Sequence, residues 1–364
     1  MRTKNNGTVI LKYPDEIGFA FNPCLLVLTG TNIVSMSIVM RCGGISHAYT
    51  VEAINGTVYA DVREFVQSFF DGMSTKIDYT AESSKTEQGK VVEFSVSYTD
   101  ADSTTHDAAF TFTVFYVWGA MHIGEIYNGM RHLKMFPGYP FTFGLYKQGE
   151  ARSVIVLSPN STPRQMINLS GQGIFNLTCN QYEDYDHIVV TDYKGTFTRT
   201  TFSDTYDLTF RYTFNGTCTK MLYIDIDHTA HTGRHLYLRW INRHGFVCYW
   251  LFKTGIDSRA VSTDSQFIRN NLHSWDDAYG YRDYNNRQQS YKREDTINIC
   301  APLVDSDTFN FLQDLTTSPV VDLWLGDNNW QTVTVKAGTY SKSGEDLQNF
   351  EAQIILPEYA LQSL

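Results

Sequence analysis

The stretch YLRWINRHGFVCYWLF, residues 237–252, decides how the chain is read. Asn242 and Gly245 bracket a short polar break between two aromatic and aliphatic runs, and glycine tolerates the positive φ that hairpin loops need. Two strands joined by a tight turn are expected. With a loop of even length, Ile241 lies opposite Phe246, Arg239 opposite Cys248 and Tyr237 opposite Trp250, and these six side chains share one face. Leu238, Trp240, Val247, Tyr249 and Leu251 share the other. A sheet with one wet face alternates apolar with polar. Here only Arg239 interrupts large apolar groups, and its guanidinium is expected against the ring of Tyr237 or Trp250. Each face therefore needs cover. One cover is the chain's own core; the other is a second layer of the same chain or another subunit.

The composition bounds what surrounds this hairpin. The chain has 364 residues, 42% hydrophobic and 19% charged, which suits a globular protein of several domains. Its 23 Tyr and 23 Phe, with frequent β-branched residues, favour strands. The formal charge is −10 and no basic stripe occurs, so nucleic acid is not an expected partner. The residues MRTKNNGTVILKY lack the apolar core of a signal peptide, and runs such as CLLVL at 24–28 are too short to span a bilayer. The expectation is a soluble chain without an export signal or membrane insertion. Six cysteines, at 24, 42, 179, 218, 248 and 300, show no paired spacing, which disfavours a structural zinc site. They read as free thiols, with a Cys179–Cys218 bridge left open.

Along the chain, TVILKY, CLLVLTG, IVSMSIVM and AYTVEAI read as short strands, and Asn-Gly at 6–7, 55–56 and 215–216 as tight turns. Val62, Phe65, Val66, Phe69 and Phe70 follow helical spacing, so a helix is expected over about 61–71, capped by Asp61 with Glu64 and stopped by Gly72. Strands resume at VVEFSVSYT and AAFTFTVFYVW. A boundary is placed near 137, dividing an N-terminal β domain with one helix (1–136) from one or more β domains (137–364), with a further boundary near 205. The polar segment 257–295 reads as a long loop or arm. A second short helix is expected over about 306–316, capped by Asp305 or Ser306 with Pro319 just past its end, and then a hairpin turning at Gly326–Asn329. The fold class is all-β dominated: β-sandwich or barrel-like sheets with two short helices.

Chemistry is harder to find. Asp225, Asp227, His228, His231 and His235 in YIDIDHTAHTGRH could offer ligands to a divalent metal, but match no ligand spacing; the alternative is a solvated turn. QYEDYDH offers Glu183, Asp184 and Asp186, and a glycosidase needs two carboxylates about 5–9 Å apart in a cleft. SGQGIF at 170–175 lacks the third glycine of a dinucleotide loop, and no P-loop, GxSxG or HExxH occurs. No cofactor is expected.

Three stretches resemble structural proteins of tailed phages and prophages of gut anaerobes. EIGFAFNPCLLVL with NGTVYADVREFVQSFF (17–71) resembles the start of such proteins, and YLRWINRHGFVCYWLF (237–252) a strand-turn-strand segment within them. FNFLQDLTTSPVVDLWLGDNNWQTVTVKAGTY with LQNFEAQIILPEY (309–359) resembles their end. Region 140–230 matches none of it. The resemblance implies a virion component of tail or baseplate, present in the host cytoplasm during assembly and without catalytic residues. Its partners would be itself, in an oligomeric ring, and other virion proteins. Assembly contacts are expected at Tyr237, Arg239, Trp240, Trp250, Phe252, Trp324 and Trp330, and the polar arm is a candidate to order on assembly. The alternatives are a receptor- or glycan-binding adhesin, or a carbohydrate-active enzyme.

Overall fold

The computed structural model describes residues 1–121, 132–147, 152–157, 163–178, 185–204, 207–229, 231–268, 286–327 and 329–357. Strands dominate, with two short helices and several sheets, one of them closed into a barrel. The chain divides into two compact units: Met1–Thr229 with Ile241–Tyr249, and Ala230–Trp240 with Trp250–Leu364.

Among the described residues the first unit carries four sheets. Arg2–Asn6, Val9–Tyr13, Leu25–Thr29 and Thr57–Asp61 form one, in that spatial order. Ile17–Phe19, Thr105–Val117, Gly89–Asp100, Ile33–Cys42 and Ile45–Glu52 form the next. Alternation explains their packing: Val9, Leu11 and Tyr13 are buried while Ile10 and Lys12 are exposed, as a strand with one wet face requires. Inward residues of both sheets, among them Leu11, Leu26, Val58, Met36, Ile38, Phe94 and Phe112, share one core, so the two make a sandwich.

The helix Arg63–Ser68 closes this sandwich, and Val62, Val66, Phe69 and Phe70 reach the core as their spacing predicts. It is shorter than the expected 61–71. Its N-cap is Val62, which makes no side-chain cap bond, so the capping box is not formed. Asp61 instead accepts from Arg63 N at 3.0 Å and Cys24 N at 2.9 Å, tying the helix entry to the neighbouring strand. Gly72 takes a φ of +71° just beyond the last turn, consistent with its expected role as the stop. The Asn-Gly pairs at 6–7 and 55–56 make turns, but Asn215–Gly216 does not. Those residues pair with Thr196 and Gly195 in the middle of two long antiparallel strands, His187–Asp204 and Asp207–Ile226. Tertiary pairing overrides the turn preference there.

These two long strands belong to a third sheet with His132–Met135, Arg152–Leu157 and Pro163–Leu169. The fourth sheet holds Thr142–Lys147, Gly173–Thr178 and Ser83–Lys85. Glu183, Asp184, Cys179 and most of 119–131 fall outside the described residues, as do the side chains around Cys218. Asp186 is exposed.

The second unit is built on the barrel, whose strands run His235–Ile241, Val247–Ile268, Asn286–Val304, Gln348–Ile355, Asn329–Val335 and Val321–Gly326 around the closed ring. The helix Ser306–Gln313 continues as a tighter 3-10 turn, Asp314–Thr317, so the expected 306–316 element is present in two pitches. Asp305 caps it, accepting from Thr308 N at 2.7 Å. Phe309, Leu312 and Leu315 are its buried face. The expected hairpin turns at Gly326–Asn329 with Trp324 opposite Trp330.

The segment expected as a loop or arm over 257–295 is largely a β-ribbon. Val247–Ile268 and Asn286–Val304 pair from Lys253↔Cys300 to Ile268↔Asn286, with irregularities near 255–256 and 264. Its polar composition hides it, because the exposed residues 257–263 show no apolar alternation.

Candidate functional site

The hairpin 237–252 is present, but its register differs from expectation. Asn242 N donates to Phe246 O at 2.8 Å and Gly245 N to Asn242 O at 2.9 Å, so Asn242 lies opposite Phe246. The loop is Arg243-His244-Gly245, odd in length, with Gly245 at φ +76°. The Asn242 side chain accepts from His244 N and Phe246 N at 3.0 and 2.9 Å and selects this loop. The shift of one residue moves Trp250 to the face of Trp240. Both indoles meet the ring of Phe311, at 5.1 and 6.2 Å between centroids.

Cover comes from the chain itself. Tyr237, Leu238, Trp240, Ile241, Val247, Cys248, Tyr249, Trp250, Leu251 and Phe252 are all buried. Phe252 packs on Phe350, within the second unit. The turn residues Ile241–Tyr249 belong to the first unit, where Tyr249 bonds to Thr142 Oγ1 at 2.8 Å and Phe246 joins Phe115, Val117 and Ile174. The two-sided apolar character of 237–252 is thus met within one chain, and it supplies no argument for a second subunit. An assembly contact through Tyr237, Arg239, Trp240, Trp250 or Phe252 does not follow, because each lies beneath the surface.

Four of the expected contact residues do converge. Arg239 lies over the ring of Trp330, 4.3 Å from its centroid, an aromatic partner that the sequence had not paired with it. Its Nε donates to Asp322 at 2.9 Å, and Thr332 Oγ1 donates to the other carboxylate oxygen at 3.0 Å. Tyr237 meets Trp324 at 6.3 Å and Trp330 at 6.0 Å. Register places them: Arg239 pairs with Asp322, Asp322 with Thr332, and Trp324 with Trp330. The sequence reading found the aromatics and the arginine but missed Asp322 and Thr332, which only cross-strand pairing brings near.

The candidate metal ligands each make other contacts. Asp227 pairs with Lys134 Nζ at 2.7 Å and accepts from Thr229 N at 2.9 Å. Burial alone would raise its carboxyl, but these partners outweigh that and bring it down to about 2. Asp225 is exposed, 4.0 Å from His132, and His228 Nε2 is bonded to the Tyr185 carbonyl at 2.8 Å. His231, in the second unit, lies against His235. Among the described residues no group of three or more His, Cys, Asp or Glu is placed to hold a metal ion.

The barrel also bears an open groove of about 560 Å³. The bulge at Gly255–Ile256, where two residues face the strand at Asn298, widens one side, and Lys336–Tyr340 walls the other. Glu351, Gln353 and Asn298 supply polar groups, and Tyr340, half-buried, supplies a ring. No motif announced it, because its residues come from four separated segments. Among the described residues no helix is long and apolar enough to cross a membrane.

Neither a protein-family model nor a curated protein matches the chain.

Proposed function

We propose that the chain is a non-enzymatic structural subunit of a phage or prophage particle, a tail or baseplate component that assembles with itself into an oligomeric ring and with other virion proteins. The observation that carries this reading is the ribbon of the second unit. Its strand 286–304 leaves the pairing with Gln348–Ile355 at Thr296 and runs on with 257–268, two strands wide among the described residues. Val261 and Tyr291 stand 58% and 48% exposed on it. Two strands alone are marginal in water, and exposed apolar groups on them favour a protein neighbour. The segment resemblances at 17–71, 237–252 and 309–359 support the same reading. The test is light scattering and negative-stain electron microscopy of the purified full chain. Closed rings are the expected result, and a monomer at every accessible concentration overturns the reading.

A second reading, a glycan-binding module, is favoured by the barrel groove, where the Tyr340 ring and the amide and carboxylate groups of Asn298, Gln353 and Glu351 suit hydroxyl-rich ligands. Glycan-array binding lost in Tyr340→Ala and Gln353→Ala, without ring formation by the parent, selects it over the first.

A further inference from the structure

The five-stranded sheet of the N-terminal sandwich ends in Ile45–Glu52, whose described neighbour is Ile33–Cys42. The two pair from Ser35↔Glu52 to Cys42↔Ile45 without a register shift, around Gly43-Gly44. In an antiparallel pair, every second residue exchanges both backbone bonds with its neighbour and the residues between point away. The two-residue loop is closed by Cys42 and Ile45, and at the other end Ala53 N donates to Val34 O at 2.7 Å. Odd-numbered residues therefore bond inward. The N–H and C=O groups of Ser46, Ala48, Thr50 and Glu52 face out of the sheet, and no described backbone bond reaches them.

Edges of this kind are usually guarded by proline, lysine, a bulge or shortness. This strand has eight residues, ISHAYTVE, and none of those devices. Apart from Glu52, its exposed side chains are small or apolar: Ser46, Ala48 and Thr50 are exposed, and Ile45 and Tyr49 remain 50% and 37% exposed. Helix residue Phe65 packs beside Tyr49, 5.3 Å between centroids, so the sheet is backed by the core up to its last strand.

We propose that this edge pairs antiparallel with the same edge of a second copy, about a two-fold axis at Tyr49. The inference rests on the reading above that the chain self-associates, and names one contact by which it does so. The register follows from the backbone. Ser46 faces Glu52 of the second copy, Ala48 faces its Thr50, and Tyr49 faces its own equivalent. All outward groups are then paired, no like charges oppose, and Ile45 and Tyr49 gain cover. Arg41 is the cross-strand neighbour of Ser46, with Glu93 on its other side. Pairing places Arg41 one strand from Glu52 of the second copy. Neither Arg41 nor Glu52 is in an ion pair among the described residues.

The test uses the full chain. Ala48→Pro deletes one outward N–H and leaves the inward ladder intact, a placement proline tolerates on an edge. Sedimentation mass is expected to fall twofold, with the melting temperature kept. Should this variant fail to fold, a charge series decides: Arg41→Glu lowers the mass, and Arg41→Glu with Glu52→Arg restores it. A parent that assembles while neither Ala48→Pro nor Arg41→Glu changes its mass overturns the edge contact and leaves the subunit reading standing. A parent that never associates overturns both.

Discussion

Arg239 and Trp330 are stacked, the guanidinium carbon 4.3 Å from the ring centroid, while the Arg239 Nε holds Asp322 at 2.9 Å. Arg239 and Asp322 are both buried, so the pair depends on good geometry to offset desolvation, and the stack and the Thr332 bond provide it. Removing one member strands the other. Asp322→Ala is expected to lower stability by about 3–5 kcal/mol, whereas replacing both partners with apolar residues of similar volume costs much less. Urea denaturation of the single and double variants checks this; equal losses contradict it.

Trp240, Trp250 and Tyr237 are all buried within the chain, so all three alanine variants are expected to lose stability, Trp240→Ala by about 3–5 kcal/mol. Trp240 Nε1 is buried and finds no hydrogen-bond partner among the described residues. Trp240→Phe therefore forfeits no bond and should keep most of the stability. Thermal melts rank the four variants. An alanine variant of Tyr237 or Trp250 that changes oligomer mass but not melting temperature contradicts the intramolecular role.

Gly245 holds φ +76°, and a Cβ there would run into the Val117 side chain. Gly245→Ala thus meets a backbone penalty of about 1–2 kcal/mol for the left-handed conformation, plus the local clash. The drop in denaturation midpoint of Gly245→Ala measures the sum, and an unchanged midpoint contradicts the loop geometry.

Asp227 has its carboxyl depressed to about 2 by Lys134 and Thr229. A group whose folded value lies below its unfolded value, ordinarily about 4, binds protons more readily when unfolded. Its stabilisation is complete above about pH 4 and is lost as pH falls toward 2. Asp227→Asn should reduce the slope of stability against pH across that window while leaving the slope near neutrality unchanged. Chemical denaturation at closely spaced pH values reads it.

Periodicity made much of the fold legible. Val9, Leu11 and Tyr13 alternate, Val62 to Phe70 follow helical spacing, and Asp305 precedes a buried helical stripe, so these elements follow from local chemistry alone. The aromatic content of 237–252 likewise dictated burial on two sides. What covers those sides was undetermined, because apolar surface is satisfied equally by its own chain or a stranger's. Only the fold decided it, placing Phe311, Trp324 and Trp330 there from residues more than fifty positions away in sequence. The register of the hairpin turned on Asn242 closing a three-residue loop, a choice between near-equal turns. The exposed ribbon and the unguarded edge at Ile45–Glu52 were invisible for a common reason. Side-chain pattern reports which face of a strand is buried and not whether its outer backbone groups have a partner, which becomes apparent only when its neighbours are in place.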